Sequence, residues 1–169
     1  MMQNNEIVVN TVRFIAVVLF QILLFNHINF LGYINPYVYI VFILVFPLTS
    51  SKSLLILLSF ILGLTIDMFG DSGGIHAAAC VFIGYIRPAV LKFSFGVSYE
   101  YNTIKISKAN FGQQFTYVGL MVVLHHLVLF SLEIFSTEHI LLVLKSTLFS
   151  GIFSTILILC TILLFSKKS

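Results

Sequence analysis

The sequence predicts an all-α integral membrane protein, a bundle of six transmembrane helices forming a single domain over 1–169 with both termini cytoplasmic. Three observations predict it. Apolar residues make up 59% of the 169-residue chain and charged residues 9%, with a mean hydropathy of +1.08. A soluble domain averages about 25% charged residues, and a chain of this size in water has nowhere to bury so much apolar surface. The apolar residues also fall into long runs, most of them near the roughly 20 residues that cross bilayer hydrocarbon. Finally, the basic residues alternate sides. Arg13, Lys52, Arg87, Lys92, Lys105, Lys108, Lys167 and Lys168 lie near the amino terminus, in the second and fourth gaps and at the carboxyl terminus. The first, third and fifth gaps (31–35, 67–76 and 133–139) hold Asp67, Asp71, Glu133 and Glu138 and no Lys or Arg. Lys145 alone breaks the pattern. Cytoplasmic loops retain Lys and Arg, and carboxylates have little influence on orientation.

The first span, about 11–30, is too long for a signal-peptide core and lacks a small-residue cleavage site after it, so it is expected to stay as a membrane helix. The second, about 36–50, opens at Asn35-Pro36, a cap residue followed by a proline suited to the first helical position. It is short, and Pro47 is expected to kink or end it. Ser51 or Ser53 can cap the third span, about 53–69. Gly70-Asp71-Ser72-Gly73-Gly74 is a turn sequence leading into the fourth span, about 75–93. The longest polar gap follows, and Tyr99, Glu100, Tyr101, Lys105 and Lys108 within 94–113 make it the best candidate for a cytoplasmic contact, with a solvated loop resting on anionic lipid as an equal reading. The last two spans are about 114–135 and 140–165. The chain has no Trp, so an interfacial aromatic belt would fall to Tyr33, Tyr37 and Tyr117.

The net charge of +3 does not point to nucleic acid, because the basic residues are scattered over loop ends rather than clustered. They read as topology determinants and as contacts for anionic lipid headgroups. Cys80 and Cys160 sit inside apolar runs and read as small buried hydrophobes rather than a disulfide or metal pair. No base stands at convincing spacing from a serine and no glycine-rich phosphate loop appears, so neither an enzyme nor a cofactor is expected.

Helices in lipid associate by close packing, which draws attention to small residues. Ala77, Cys80 and Gly84 share a face of the fourth span, Ser59 and Gly63 a face of the third, and Ser146, Ser150 and Ser154 recur every four residues beside Gly151 in the sixth. Intramolecular packing is the plain reading of these stripes, and a partner helix the sharper one. The densest polar group is Gly63 to His76. Asp67 is costly at membrane depth unless it meets water or a partner. Asp71 or Ser72 can cap the fourth helix, and Gly73 and Gly74 permit unusual backbone angles. A metal site from Asp67, Asp71 and His76 is conceivable, but hairpin capping explains the same residues and no metal is expected. His125 and His126 lie mid-helix, where adjacent positions point about 100° apart. A hydrogen bond to a neighbour such as Gln21 is favoured over a proton path, because Asp67, Glu133 and Glu138 all lie toward one rim. A proton-coupled carrier built on these histidines is the weakest alternative.

The stretch 61–88, ILGLTIDMFGDSGGIHAAACVFIGYIRP, resembles the signature hairpin of the rod shape-determining MreD family. Gly63 and Asp67 match its Gly-x-x-x-Asp helix end, Gly73-Gly74 its turn, Ala77-Ala78-Ala79 its small run, and Arg87-Pro88 its basic end. Asn26-His27-Ile28 and Gly32-Tyr33-Ile34-Asn35-Pro36-Tyr37 resemble the opening of Bacteroidetes-like members. The resemblance implies a non-enzymatic, multi-pass subunit of the machinery that elongates peptidoglycan and maintains rod shape, in the bacterial inner membrane. It also implies a direct partner, the bitopic protein MreC, and through the complex the actin-like MreB and a peptidoglycan glycosyltransferase and transpeptidase. The family is similar in fold to the substrate-binding subunits of energy-coupling-factor vitamin transporters. A small-molecule transport subunit is therefore the rival expectation, with His76, Asp67 and Asn26 lining an outward pocket.

Overall fold

The computed structural model describes residues 4–28, 34–96, 106–135 and 139–164. Among them the regular elements are helices and no strand occurs, with Ile34 in an isolated bridge. Helix α1 runs Asn4–Leu23, a short α2 runs Val41–Val45, and α3 runs Lys52–Gly70. Helix α4 runs Ile75–Phe95, α5 Phe111–Ile134 and α6 Ile140–Leu164, and single 3₁₀ turns occur at Phe25–His27, Val38–Ile40 and Ile106–Lys108. Five helices, all except α2, are long and apolar enough to cross a membrane.

Four of the expected spans lie within about three residues of observed helices. The first differs: α1 covers 4–23 rather than 11–30, and the chain then turns at Phe25–His27. The second differs more. No helix fills 36–50. Asn35–Tyr37 form no helix, Val38–Ile40 make one 3₁₀ turn, and only Val41–Val45 are α-helical. Pro36 is therefore not the first residue of a helix. The backbone N–H groups around it find side-chain partners on α1 and α6 that compete with helical bonds. Phe46 is extended (ψ 141) before Pro47, whose ring disfavours a helical residue ahead of it, so α2 stops there.

This broken segment occupies the centre of the molecule. Tyr39, Ile40, Ile43 and Leu44 have no exposed surface, and Val41, Phe42 and Phe46 are nearly as buried. Helices α1, α4, α5 and α6 contact it, with Leu62, Ile83, Val118, Met121, Val122 and Ile158 completing the core. Helix α1 stands at the margin: 11% of Glu6–Leu23 is buried, against 44% of each of α4, α5 and α6.

The small-residue stripes of α3 and α4 mesh antiparallel. A Cβ on Gly63 would lie 2.5 Å from Ala77 Cα and from the His76 carbonyl oxygen, and one on Gly84 would lie 2.7 Å from Ser59 Oγ. Both glycines thus face the neighbouring helix of this chain and not a partner. Arg87-Pro88 does not end a helix, as α4 continues through Pro88 to Phe95. Tyr37 and Tyr117 are core residues rather than members of an interfacial belt. Tyr33, Tyr99, Glu100, Tyr101 and Lys105 lie outside the described residues. Cys80 is buried, whereas Cys160 is exposed on α6.

Candidate functional site

Backbone that leaves helical geometry inside a membrane must find hydrogen-bond partners within the protein. Two groups of side chains supply them, one at each end of the broken segment.

At the first end, Gln21 on α1 reads the chain like a clamp. Its Oε1 accepts from the Val38 N–H at 2.9 Å and the Tyr39 N–H at 3.4 Å, and its Nε2 donates to the Pro36 carbonyl at 3.1 Å and to Asn26 Oδ1 at 3.0 Å. From the other side, α6 offers Ser150 and Ser154, whose hydroxyls accept from the Asn35 N–H at 3.0 Å and the Tyr37 N–H at 2.9 Å. The serine stripe therefore receives the irregular backbone of the same chain. Gln21 bonds to this segment and not to either histidine.

Tyr39 carries the network inward. Its hydroxyl lies 2.7 Å from His76 Nδ1 and 2.9 Å from His125 Nε2. One hydroxyl hydrogen serves two rings, so one nitrogen presents a lone pair and the other an N–H. His126 turns the other way: Nδ1 lies 2.8 Å from the Val122 carbonyl and Nε2 3.2 Å from Ser154 Oγ. Tyr37 sits between the rings, its centroid 5.1 Å from that of His76 and 5.4 Å from that of His126. The two adjacent histidines thus serve different partners, as a helical step of about 100° requires. His125 Nδ1 has no partner among the described residues.

His76 is delivered by the α3–α4 turn, and Asp67 builds that turn. Its Oδ1 accepts from the His76 N–H at 3.0 Å and the Ser72 hydroxyl at 2.6 Å, and its Oδ2 accepts from the Ala77 N–H at 2.8 Å. The cap of α4 is therefore a carboxylate from the preceding helix. Asp71 and Ser72 do not cap α4 themselves. Asp71 closes α3 in the left-handed region (φ 50, ψ 41), and Ser72 braces Asp67. Gly73 and Gly74, at φ 67 and 97, make the turn, a conformation that costs a Cβ-bearing residue about 1–2 kcal/mol. Asp67 also lies where the positive end of α4 favours an anion.

At the far end of the broken segment Arg87 does the equivalent task. Its NH2 donates to the Leu44 and Phe46 carbonyls at 3.1 and 2.5 Å, and its Nε donates to Tyr117 Oη at 3.0 Å. Tyr117 in turn donates to the Leu44 carbonyl at 3.0 Å. A guanidinium at the carboxyl end of α2 meets its free carbonyls and its negative dipole together. Arg87 is 3% exposed, so it is an interior capping residue and not a loop-end charge. At the bundle surface on this side, Lys52 Nζ lies 3.9 Å from the Tyr85 ring centroid.

The site so assembled is a polar interior that pins an irregular segment of the chain. The structure brings Gln21, Asp67, His76, His125 and His126 into or beside one network through Tyr37 and Tyr39. Gly63, Ala77 and Gly84 pack the two helices beneath it, and Arg87 stands apart at the opposite end. Sequence reasoning missed Tyr39 and placed Tyr117 at headgroup depth. A tyrosine in the middle of an apolar run needs a buried partner for its hydroxyl, and that was the available signal. No family model, curated protein or solved structure matches this chain.

Proposed function

We propose that this chain is a non-enzymatic membrane scaffold of the cell-wall elongation complex, an MreD-type subunit of the bacterial inner membrane. It binds MreC directly and, through the complex, MreB and the peptidoglycan glycosyltransferase and transpeptidase. The observation that carries the reading is the hairpin 61–88. The residues that bear the family resemblance are those that lock it: Gly63 against Ala77, Asp67 on the first N–H groups of α4, and glycines at 73 and 74 in the turn. A rigid bundle whose buried polar groups serve its own backbone suits a part that positions other proteins.

The broken segment makes the sixth crossing. Five long helices alone would leave the two chain ends on opposite sides; with 34–46 as a further crossing, both ends face the cytoplasm, in accord with the basic residues. Reporter tags after Ser72 and after Ser169 should therefore mark opposite compartments, and one shared compartment overturns the topology.

A vitamin-type transport subunit would need an open cavity where His76, Asp67 and Asn26 lie. These residues are instead bonded to Tyr39, to the α4 backbone and to Gln21. The scaffold reading is tested by recovery of MreC with the tagged chain from mild detergent. Because Gly63 and Gly84 face inward, the docking face is mapped with outward residues such as Phe60, Leu64 and Met68, which are one-sided on α3 and exposed. Failure to recover MreC with the unaltered chain overturns the scaffold reading.

A further inference from the structure

The marginal position of α1 leaves a long groove between it, the broken segment and α6, with a volume of about 870 Å³. Its walls are apolar, with Val9 and Phe20 on α1, Val45 on α2 and Leu157 on α6 among them. Arg13 and Ser107 also line it, with Val9 beyond Arg13 toward the amino end. From Arg13 to Phe25 the groove follows twelve residues, about 18 Å at 1.5 Å per residue. That is close to the depth of one leaflet, half of a hydrocarbon core about 30 Å thick.

Arg13 is the unusual lining residue. It is half-buried, and NH1 donates to Asn10 Oδ1 at 3.0 Å, a neutral partner. A guanidinium carries five N–H donors in a fork suited to phosphate. Among the described residues no carboxylate lines the groove. Glu6 lines a smaller hollow that adjoins it and shares Arg13. An apolar slot close to one leaflet deep, with a cation toward one end, is complementary to a molecule with a chain and an anionic head.

We propose that this groove binds one anionic phospholipid from the leaflet at the Arg13 end, with acyl chain along α1 and α6 and phosphate on the Arg13 guanidinium. The lipid fills the space that the bundle leaves between α1 and α6 and so completes the seat of the helix that carries Gln21. The proposal stands apart from the scaffold reading, since it requires only that the chain be embedded in a membrane.

The test uses the full chain in detergent, on a Cys160→Ser background, with lipid retention followed by native mass spectrometry and stability by thermal melting. Phosphatidylglycerol should be retained and should raise the melting temperature by mass action, while phosphatidylcholine and inorganic phosphate should not. Arg13→Gln should lower phosphatidylglycerol retention at least five-fold with its lipid-free melt preserved, and Arg13→Lys should restore part of it. Ala16→Trp, which fills the groove, should abolish retention. Equal retention of the two phospholipids, or retention indifferent to both Arg13→Gln and Ala16→Trp, overturns the proposal. So does a cross-link through Ala16→Cys to a second copy or another polypeptide, which would place a protein helix in the groove.

Discussion

The α3–α4 hairpin and the broken segment at 34–46 are both buried and both polar at their ends, yet they are held in different ways. The hairpin is closed by residues near one another in sequence: Asp67 reaches residues nine and ten positions on, and Gly63 packs on Ala77. The segment is held by Gln21, 15 to 18 positions back, and otherwise by residues far from it. Asn35 and Tyr37 are bonded by serines 115 and 117 positions away, and Phe46 by an arginine 41 positions away. A local closure can form as soon as two helices meet. A remote closure forms only when the whole bundle is assembled, so the segment should be the region that reports most directly on tertiary completeness.

The largest effect should come from the hairpin. Gly63→Val places carbon atoms against the backbone of Ala77 and His76, atoms that cannot turn aside as a side-chain tip can. Overpacking of this kind costs about 3 kcal/mol or more, and we expect loss of monodisperse protein on size exclusion in detergent. Gly73→Ala gives the contrast. No atom stands within 4 Å of its added Cβ, so the cost is only that of a left-handed residue, about 1–2 kcal/mol. If the two variants melt alike, the tight contact between α3 and α4 is not what holds the hairpin.

Next in size is Arg87→Met, which preserves bulk and removes every donor. The Leu44 carbonyl keeps its bond from Tyr117, but the Phe46 carbonyl loses the arginine in a buried site. An unsatisfied buried polar group costs about 1–3 kcal/mol, more where the lost partner was charged. The expected outcome is a loss of about 3 kcal/mol in denaturant unfolding. Arg87→Lys should recover part of this, because one ammonium can meet a carbonyl but cannot also keep the guanidinium geometry. Full recovery with Lys would show that charge near α2, rather than the forked donors, is what matters.

How much of this was legible beforehand follows the same division. Asp67 and Gly73-Gly74 could be read as a turn because the signals for a helix end, a turn and a helix start lie within ten residues of one another. Even there, capping of α4 was assigned to Asp71 or Ser72, the nearer residues, since a sequence does not show that a carboxylate one turn back in α3 points across the turn. At 34–46 the local signals pointed the wrong way. Asn-Pro followed by an apolar run is a good helix opening, and nothing nearby announces that Ser150, Ser154 and Gln21 offer the backbone other partners. Arg87 was misread for a related reason: a basic residue near a helix end usually marks a loop, and its burial depends on carbonyls that a continuous helix 36–50 would not have exposed. Irregular backbone in a membrane core is encoded in the residues that receive it, and these lie elsewhere in the chain.

Asp67 offers a smaller and more selective perturbation. Asp67→Asn keeps one acceptor oxygen and turns an amide nitrogen toward a backbone N–H, so one of the His76 and Ala77 bonds is lost. Removal of a capping side chain costs about 0.5–2 kcal/mol, and we expect about 1 kcal/mol here by equilibrium unfolding, with Asp67→Ala costing about 2 kcal/mol. A deficit confined to the hairpin should leave protection of the 34–46 amides unchanged in hydrogen exchange measured below the global unfolding limit.

The smallest effect, a departure from additivity, should carry the sharpest comparison. A hydrogen bond between membrane helices is worth about 0.6 kcal/mol on average, so Ser154→Ala, which removes the bonds to Tyr37 and His126, should be mild, whereas Gln21→Leu, which removes the bonds to Asn26, Pro36, Val38 and Tyr39, should cost about 2 kcal/mol. They nevertheless hold adjacent residues of one stretch, Ser154 the Tyr37 N–H and Gln21 the Pro36 carbonyl and the Val38 and Tyr39 N–H groups. Once one clamp is released the segment can shift, and the other no longer meets a fixed target. The double variant should therefore depart from additivity by about 0.5–1 kcal/mol, as contacting or shared-partner pairs do. Gln21→Leu combined with Asp67→Asn should add simply, since Asp67 makes no bond to the segment. Additivity in the first pair would mean that the segment is rigid by its own apolar packing and that its polar clamps act one at a time. Coupling in the second pair would mean that hairpin and segment form a single cooperative unit, joined through His76 and Tyr39.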